Sequence, residues 1–153
     1  MKIKELESND IEELACFMAT LEMAGWAKEK LHVHIKNELI NRLKSKDTLS
    51  TILIATNQEN KIVGYCSIHW IQNLVLPGSE GYISELFVDK HHRGAGIGMA
   101  LLSAVEKKAI ERKCYRLSLM NLRDRESYQR AFYLKNGWKE RENAANMIKE
   151  LIN

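Results

Sequence analysis

ISELFVDKHHRGAGIGMALL, residues 83–102, combines a strand, a turn, a glycine-rich loop and a helix start. ISELFVD has the apolar, partly alternating composition of a strand. DKHHR is a short polar turn, GAGIG is glycine-rich, and a helical pattern runs from Gly96 to Arg112. Glycines let a backbone come close to oxygen atoms, and the first N–H groups of a helix have no partner within it, so a strand, loop and helix in this order can cradle a pyrophosphate. A glycine-rich turn that merely starts a helix is the plainer reading, but two glycines would suffice for it and Gly94, Gly96 and Gly98 are three. Two familiar phosphate loops do not fit. A P-loop would need Lys and Ser or Thr after its last glycine, where Met99 and Ala100 stand. A dinucleotide fingerprint beginning at Gly94 would need Gly or Ala at Met99, and should come early in a parallel sheet.

Downstream, Leu101, Leu102, Val105 and Ala109 form the inward stripe of the helix, and YRLSLM at 115–120 reads as a strand. Strand, helix and strand in succession predict parallel neighbours joined by a right-handed crossover. Asp124 is the expected cap of a further helix reaching Asn136, ended by Gly137 as its left-handed residue. Residues 138–142 and 146–151 are expected to close the sheet as a hairpin about Asn143.

Upstream, residues 72–81 contain the only proline, Pro77, beside Gly78, and read as an exposed loop. TLSTILIA at 48–55 and KIVGYCSIHWI at 61–71, separated by NQEN, predict an antiparallel hairpin. Two amphipathic helices precede it. The first carries Ile11, Leu14, Ala15, Met18 and Leu21 after a capping box of Asn9 and Glu12; the second, after Gly25, carries Leu31, Ile35, Leu39 and Leu43. Residues 2–6 make a short opening strand. The fold class is therefore mixed α/β, a single domain over residues 1–153 with a mostly antiparallel sheet, one parallel pair of strands and about four helices.

With 153 residues and 45% hydrophobic content, the chain can build one substantial core. No apolar run approaches the roughly 20 residues that span a bilayer, and MKIKELESND lacks the apolar region of a signal peptide, so a cytoplasmic protein with no membrane partner is expected. The net charge of +3 suits an anionic cofactor and gives a nucleic-acid partner little support. Cys16, Cys66 and Cys114 are widely spaced, and the groupings His32/His34, His69 and His91/His92 have no further ligand at useful spacing along the chain, so neither a disulfide framework nor a metal site is expected.

Arg93-Gly94-Ala95-Gly96-Ile97-Gly98 resembles the Arg/Gln-x-x-Gly-x-Gly/Ala motif with which the GNAT superfamily of N-acetyltransferases binds the pyrophosphate of coenzyme A. ELFVD before it resembles that family's fourth strand, and FYLKNGW at 132–138 its Tyr-x-x-x-Gly-aromatic motif on the last helix. The order of elements agrees over nearly the whole chain. The resemblance implies acetyl-CoA as cofactor and transfer of its acetyl group to a primary amine in a ternary complex. It places the pantetheine arm between splayed strands four and five, against the backbone of Leu86, Phe87 and Val88, and the pyrophosphate on the amides of residues 93–98. Tyr133 falls on the family tyrosine near the sulfur, a general acid, with packing within its aromatic helix as the plainer alternative. Glu85 falls where many members place the carboxylate that deprotonates the ammonium. Alternation puts Glu85 on one face with Ile83 and Phe87, where desolvation would raise its pKa; a solvated strand glutamate is the competing reading.

Many members carry an asparagine seven residues before the tyrosine. That position is Glu126 here, and Asn121 is the candidate for a similar polar contact. Acceptor recognition in the family uses the first two helices and the loop before strand four, which points to Trp26, Trp70, Tyr82 and, as an ammonium partner, Glu80; for both tryptophans ordinary packing competes. The acceptor is expected to be a small molecule, with a protein N-terminus or lysine as the alternative, and a catalytically silent acyl-CoA-binding module as the rival from another class. Oligomeric state is not readable, although a homodimer is common among such enzymes.

Overall fold

The computed structural model describes residues 1–21, 27–45 and 48–151, and the chain divides into two compact units, Met1–Met120 and Asn121–Asn153. The first contains a five-stranded sheet in which sequence order is spatial order: β1 (Lys2–Glu5), β2 (Ser50–Thr56), β3 (Ile62–Ile71), β4 (Glu80–Val88) and β5 (Arg116–Leu119). The first three pairings are antiparallel, while β4 and β5 run parallel, as a strand, helix and strand in succession require. Helices α1 (Ile11–Ala19), α2 (Lys28–Lys44) and α3 (Ile97–Glu111) complete the unit. Among the described residues no helix is long and apolar enough to cross a membrane.

Neighbouring residues of β3 identify the two faces. The ring of Tyr65 meets Phe17 of α1 edge-on at 6.1 Å, whereas a Cβ on Gly64 would meet Ile97 and Leu101 of α3. Successive side chains point to opposite faces, so α1 and α2 cover one side of the sheet and α3 the other. Under the first pair lie Leu14, Ala15, Ile35, Leu39, Ile54 and Tyr65; under α3, Leu101, Leu102 and Val105 are buried. Each such Leu, Ile or Val side chain contributes about 1.5–3 kcal/mol through its removal from water. Buried on both faces, β3 reads in sequence as a nearly unbroken apolar run.

Three local expectations are corrected. A 3₁₀ turn at Ser8–Asp10 precedes α1, and the first reciprocal cap is made by Glu7 and Asp10, not Asn9 and Glu12: the N–H of Glu7 donates to Oδ2 of Asp10 at 2.9 Å. Glu12 is thereby left on the helix surface. In the second unit the helix expected over 124–136 is two short pieces, α4 (Glu126–Gln129) and α5 (Phe132–Lys135), because Ala131 adopts the left-handed conformation with φ 55°. Gly137 does end the second piece at φ 83°. The closing hairpin does not form: no strand lies within residues 138–151, and Met147, Ile148 and Leu151 are exposed. Without apolar burial, nothing offsets the entropy cost of ordering a strand there.

Candidate active site

The site in the first unit is organised by an irregularity in β4. Ser67 of β3 pairs with Glu85, but the adjacent Ile68 pairs with Ile83, so Ser84 is an extra residue, a β-bulge. Because Ser67 and Ile68 point to opposite faces, Ile83 and Glu85 do as well. The expected shared face is corrected accordingly: Ile83 is buried on the α3 side, while Glu85 and Phe87 turn toward α1 and α2. Alternation along a strand cannot reveal an inserted residue.

The bulge coincides with the parting of the parallel pair. Glu80 through Ile83 pair with Arg116 through Leu119, and among the described residues no β4–β5 pairing continues past Ile83. The edge of β4 from Ser84 to Val88 is therefore open on that side. The N–H of Asp89 donates to Val63 O of β3 at 2.9 Å, so the peptide groups alternate from there: those of Phe87 face β3, and those of Leu86 and Val88 face the open edge. Of the three residues expected to offer backbone to the pantetheine arm, Phe87 is turned away. Its ring stacks on Tyr65 at 5.7 Å instead.

After Val88 the chain makes a 3₁₀ turn, Lys90–His92, fixed by Asp89. The carboxylate accepts from the N–H of His91 at 2.8 Å and lies 3.0 Å from Nδ1 of His92, and the His92 contact holds its pKa below the ordinary value. Arg93 reaches back, donating from Nε to Val88 O at 3.3 Å. Gly94 and Gly96 both have positive φ, 80° and 79°, conformations that L side chains rarely adopt. Gly96 is the N-cap of α3 and offers no side-chain cap, so the amides of Ile97, Gly98 and Met99 are aimed outward with no acceptor in the helix. Among the described residues, apart from the immediate chain neighbours and the helix's own backbone, no atom lies within 4 Å of where a Cβ on Gly94 or Gly96 would stand, leaving room for a ligand to approach the backbone. A helix start of this kind and an open strand edge are complementary to a pyrophosphate and an amide-bearing arm, so the chain's own geometry fits coenzyme A.

On the α1–α2 side, Glu85 lines a cavity of about 280 Å³. Leu14, Met18 and Leu21 of the α1 segment, Leu31, Ile35 and Leu39 of α2, and Ile52 and Tyr65 of the sheet give it an apolar wall, while His34, Glu38 and Arg42 add a polar stripe. Burial is the main cause of a raised Glu85 pKa, opposed in part by the positive charge of Arg42. Burial, with the Glu85 charge second, also pushes the Cys66 thiol up to about 12, which leaves it an inert core thiol. The polar stripe was not foreseen, though it had a signal: positions 34, 38 and 42 recur every four residues beside the apolar stripe 31, 35 and 39.

The remaining acceptor candidates separate. Tyr82 is half-buried in β4 opposite His69. Glu80 is buried, and Arg116 donates to its Oε2 from Nη2 at 2.7 Å and Nε at 2.9 Å, while Ser118 Oγ donates to Oε1. Both oxygens are thus engaged within the sheet, and Glu80 is not placed as an ammonium partner. Trp70 lies on the α3 face, 3% exposed, beneath the guanidinium of Arg112 at 4.8 Å, with Nε1 donating to Thr51. Its position is core packing. Trp26 lies outside the described residues.

In the second unit Tyr133 is half-buried between two rings, Phe132 at 5.0 Å and Trp138 at 5.9 Å, both edge-on. Asn121 accepts from Ser127 Oγ at 2.8 Å. Glu126, at the position of the family asparagine, faces Arg130 at 4.0 Å.

The sequence model of the Acetyltransferase (GNAT) family matches residues 11–138 of the chain. The chain belongs to the GNAT acetyltransferase family. It is therefore by family an acyltransferase, of a class that uses acetyl-CoA as donor. Solved structures agree in fold. A probable acetyltransferase superposes with a TM-score of 0.83 at 18% identity, covering 100% of this chain and 99% of that one. A transcriptional regulator from Bacillus halodurans C-125 gives 0.79 at 24% identity, over 97% and 99%. A ribosomal-protein-alanine N-acetyltransferase from Brucella melitensis biovar Abortus 2308 gives 0.77 at 21% identity, over 98% and 100%. No curated protein gives a significant match. The five-stranded mixed sheet with its parallel β4–β5 pair is the GNAT arrangement.

Proposed function

We propose that this GNAT member transfers the acetyl group of acetyl-CoA to the primary amine of a compact, largely apolar small molecule, by direct attack in a ternary complex. The observation that carries the proposal is the conjunction, within one unit, of an open β4 edge, an uncapped glycine-rich helix start and a desolvated Glu85 on a cavity wall. Bound acetyl-CoA supplies the thioester. Leu86 and Val88 orient its arm through their outward peptide groups, and an N–H among them polarises the acetyl carbonyl. The amides at the start of α3 hold the pyrophosphate. Glu85 takes a proton from the acceptor ammonium, a task suited to a carboxylate whose pKa burial raises above the ordinary value. Tyr133 is assigned proton donation to the departing thiolate, on its place in the FYLKNGW motif.

The cavity supports the acceptor class. At about 280 Å³ it falls just below the ~300–1,000 Å³ of drug-sized ligand sites, and its wall is mostly aliphatic. A compact amine with an apolar body fits those properties better than a polyamine or a peptide. Measuring free thiol released from acetyl-CoA across a panel of amines tests this: release with compact apolar amines is expected. Saturable coenzyme A binding without release for any amine would instead establish a silent acyl-CoA-binding module.

The loop makes its own prediction. Replacing Gly96 by alanine forces a Cβ into a left-handed backbone, which costs about 1–2 kcal/mol. Calorimetry should find weaker coenzyme A binding together with a lower Tm, whereas Ala95→Gly should leave binding nearly unchanged.

A further inference from the structure

One cluster on the α1–α2 pair has no part in acetyl transfer. Glu12 and Cys16 stand one turn apart on α1, and α2 brings His32 beside them. Nε2 of His32 lies 3.1 Å from Oε1 of Glu12 and 3.5 Å from Sγ of Cys16, and Sγ lies 4.0 Å from the same Oε1. We propose that Glu12, Cys16 and His32 form a binding site for a divalent transition metal of borderline softness, zinc above all, with a fourth position open to solvent.

The triangle of donor atoms is the main argument. A point about 0.7 Å out of its plane lies about 2.1 Å from Nε2 and Oε1 and about 2.3 Å from Sγ, the distances at which zinc holds nitrogen, oxygen and sulfur, and leaves a fourth direction open. The donor set is equally selective: one thiolate, one imidazole and one carboxylate suit zinc, whereas magnesium and calcium take oxygen ligands. The Cys16 thiol donates to Oε1 of Glu12, and Nε2 of His32 converges on the same oxygen. A cation at the centre satisfies all three donors together. Glu12 is also prepared for the role. Nζ of Lys36 lies 2.5 Å from its other oxygen, Oε2, leaving Oε1 to the trio.

On binding, the metal replaces the Cys16 thiol proton, which passes to solvent, and His32 coordinates through the lone pair of Nε2 with its proton on Nδ1. The ion would tie α1 to α2, the two helices that carry Leu14, Met18, Leu31 and Ile35 of the cavity wall. Spacing along the chain gave no reason to expect a metal site, because the imidazole is supplied by the neighbouring helix.

The test is a cobalt titration of the full-length, reduced, chelator-treated protein. One equivalent of Co²⁺ should produce a thiolate-to-cobalt charge-transfer band in the near ultraviolet, one equivalent of Zn²⁺ should abolish it, and Zn²⁺ alone should raise Tm. Cys16→Ser and His32→Ala should lose the band and bind Zn²⁺ about tenfold or more weakly, while Cys114→Ser keeps both properties. Cys16 is exposed and His32 partly so, and circular dichroism checks that the variants remain folded. Absence of the band, or its survival in Cys16→Ser, would overturn the proposal.

Discussion

Replacing Glu85 by glutamine is expected to lower kcat by about 10²–10⁴-fold, the usual contribution of a positioned proton-transfer group, and at the same time to raise Tm near neutral pH. The second effect follows from the sign of the pKa shift. Burial raises the Glu85 pKa above its ordinary 4.5, so the folded protein favours the protonated carboxyl. The stability this group contributes is complete below 4.5 and is lost as pH rises through the raised value, because the ionised form must then be held in a mostly apolar cavity. Glutamine has no charge to desolvate. The Tm difference between variant and wild type should therefore be largest near neutrality and close as pH falls toward 4.5. Loss of activity joined to a gain in stability is what a group retained for chemistry produces. An unchanged pH–rate profile in Glu85→Gln would reduce Glu85 to a strand glutamate, and a lower Tm at neutral pH would mean that attraction to Arg42 outweighs desolvation.

The second large effect is expected at Tyr133. Phenylalanine keeps the ring and hence the edge-on contacts with Phe132 and Trp138. The hydroxyl is lost, and kcat should fall about 10²-fold with KM for acetyl-CoA nearly unchanged, while the alkaline limb of the pH–rate profile disappears. Undiminished turnover at every pH would leave Tyr133 as a packing residue.

What could be read from sequence depended on how local its cause was. The start of α3 and the left-handed Gly137 follow from residue types within a few positions, and they were legible; the left-handed Gly96 at the N-cap was not read. So was the parallel β4–β5 pair, because a crossover helix between strands permits little else. The bulge at Ser84 was not legible, since a pattern of alternating residues looks the same whether or not one of them is unpaired. That single insertion moves Ile83 to the α3 face and leaves Glu85 on the cavity.

Long-range partners account for the other differences. Glu80 resembled an available anion in the chain, but the parallel register sets it beside Arg116, 36 residues onward. Trp70 had the composition of a binding-wall residue, yet its place in β3 puts it under Arg112. Cys16 and His32 are 16 residues apart and belong to different helices, so only the packing of α1 on α2 makes them neighbours. The break at Ala131 has a different origin: a non-glycine residue takes a left-handed conformation that its type does not announce.

In the proposed binding mode the outward peptide groups of β4 and the first amides of α3 hold acetyl-CoA. Backbone amide resonances recorded during titration of the labelled protein with coenzyme A test it most directly. Saturable shifts are expected, largest at Leu86, Val88 and residues 94–98; no shift at saturating coenzyme A, or shifts confined to other parts of the chain, would rule this binding mode out.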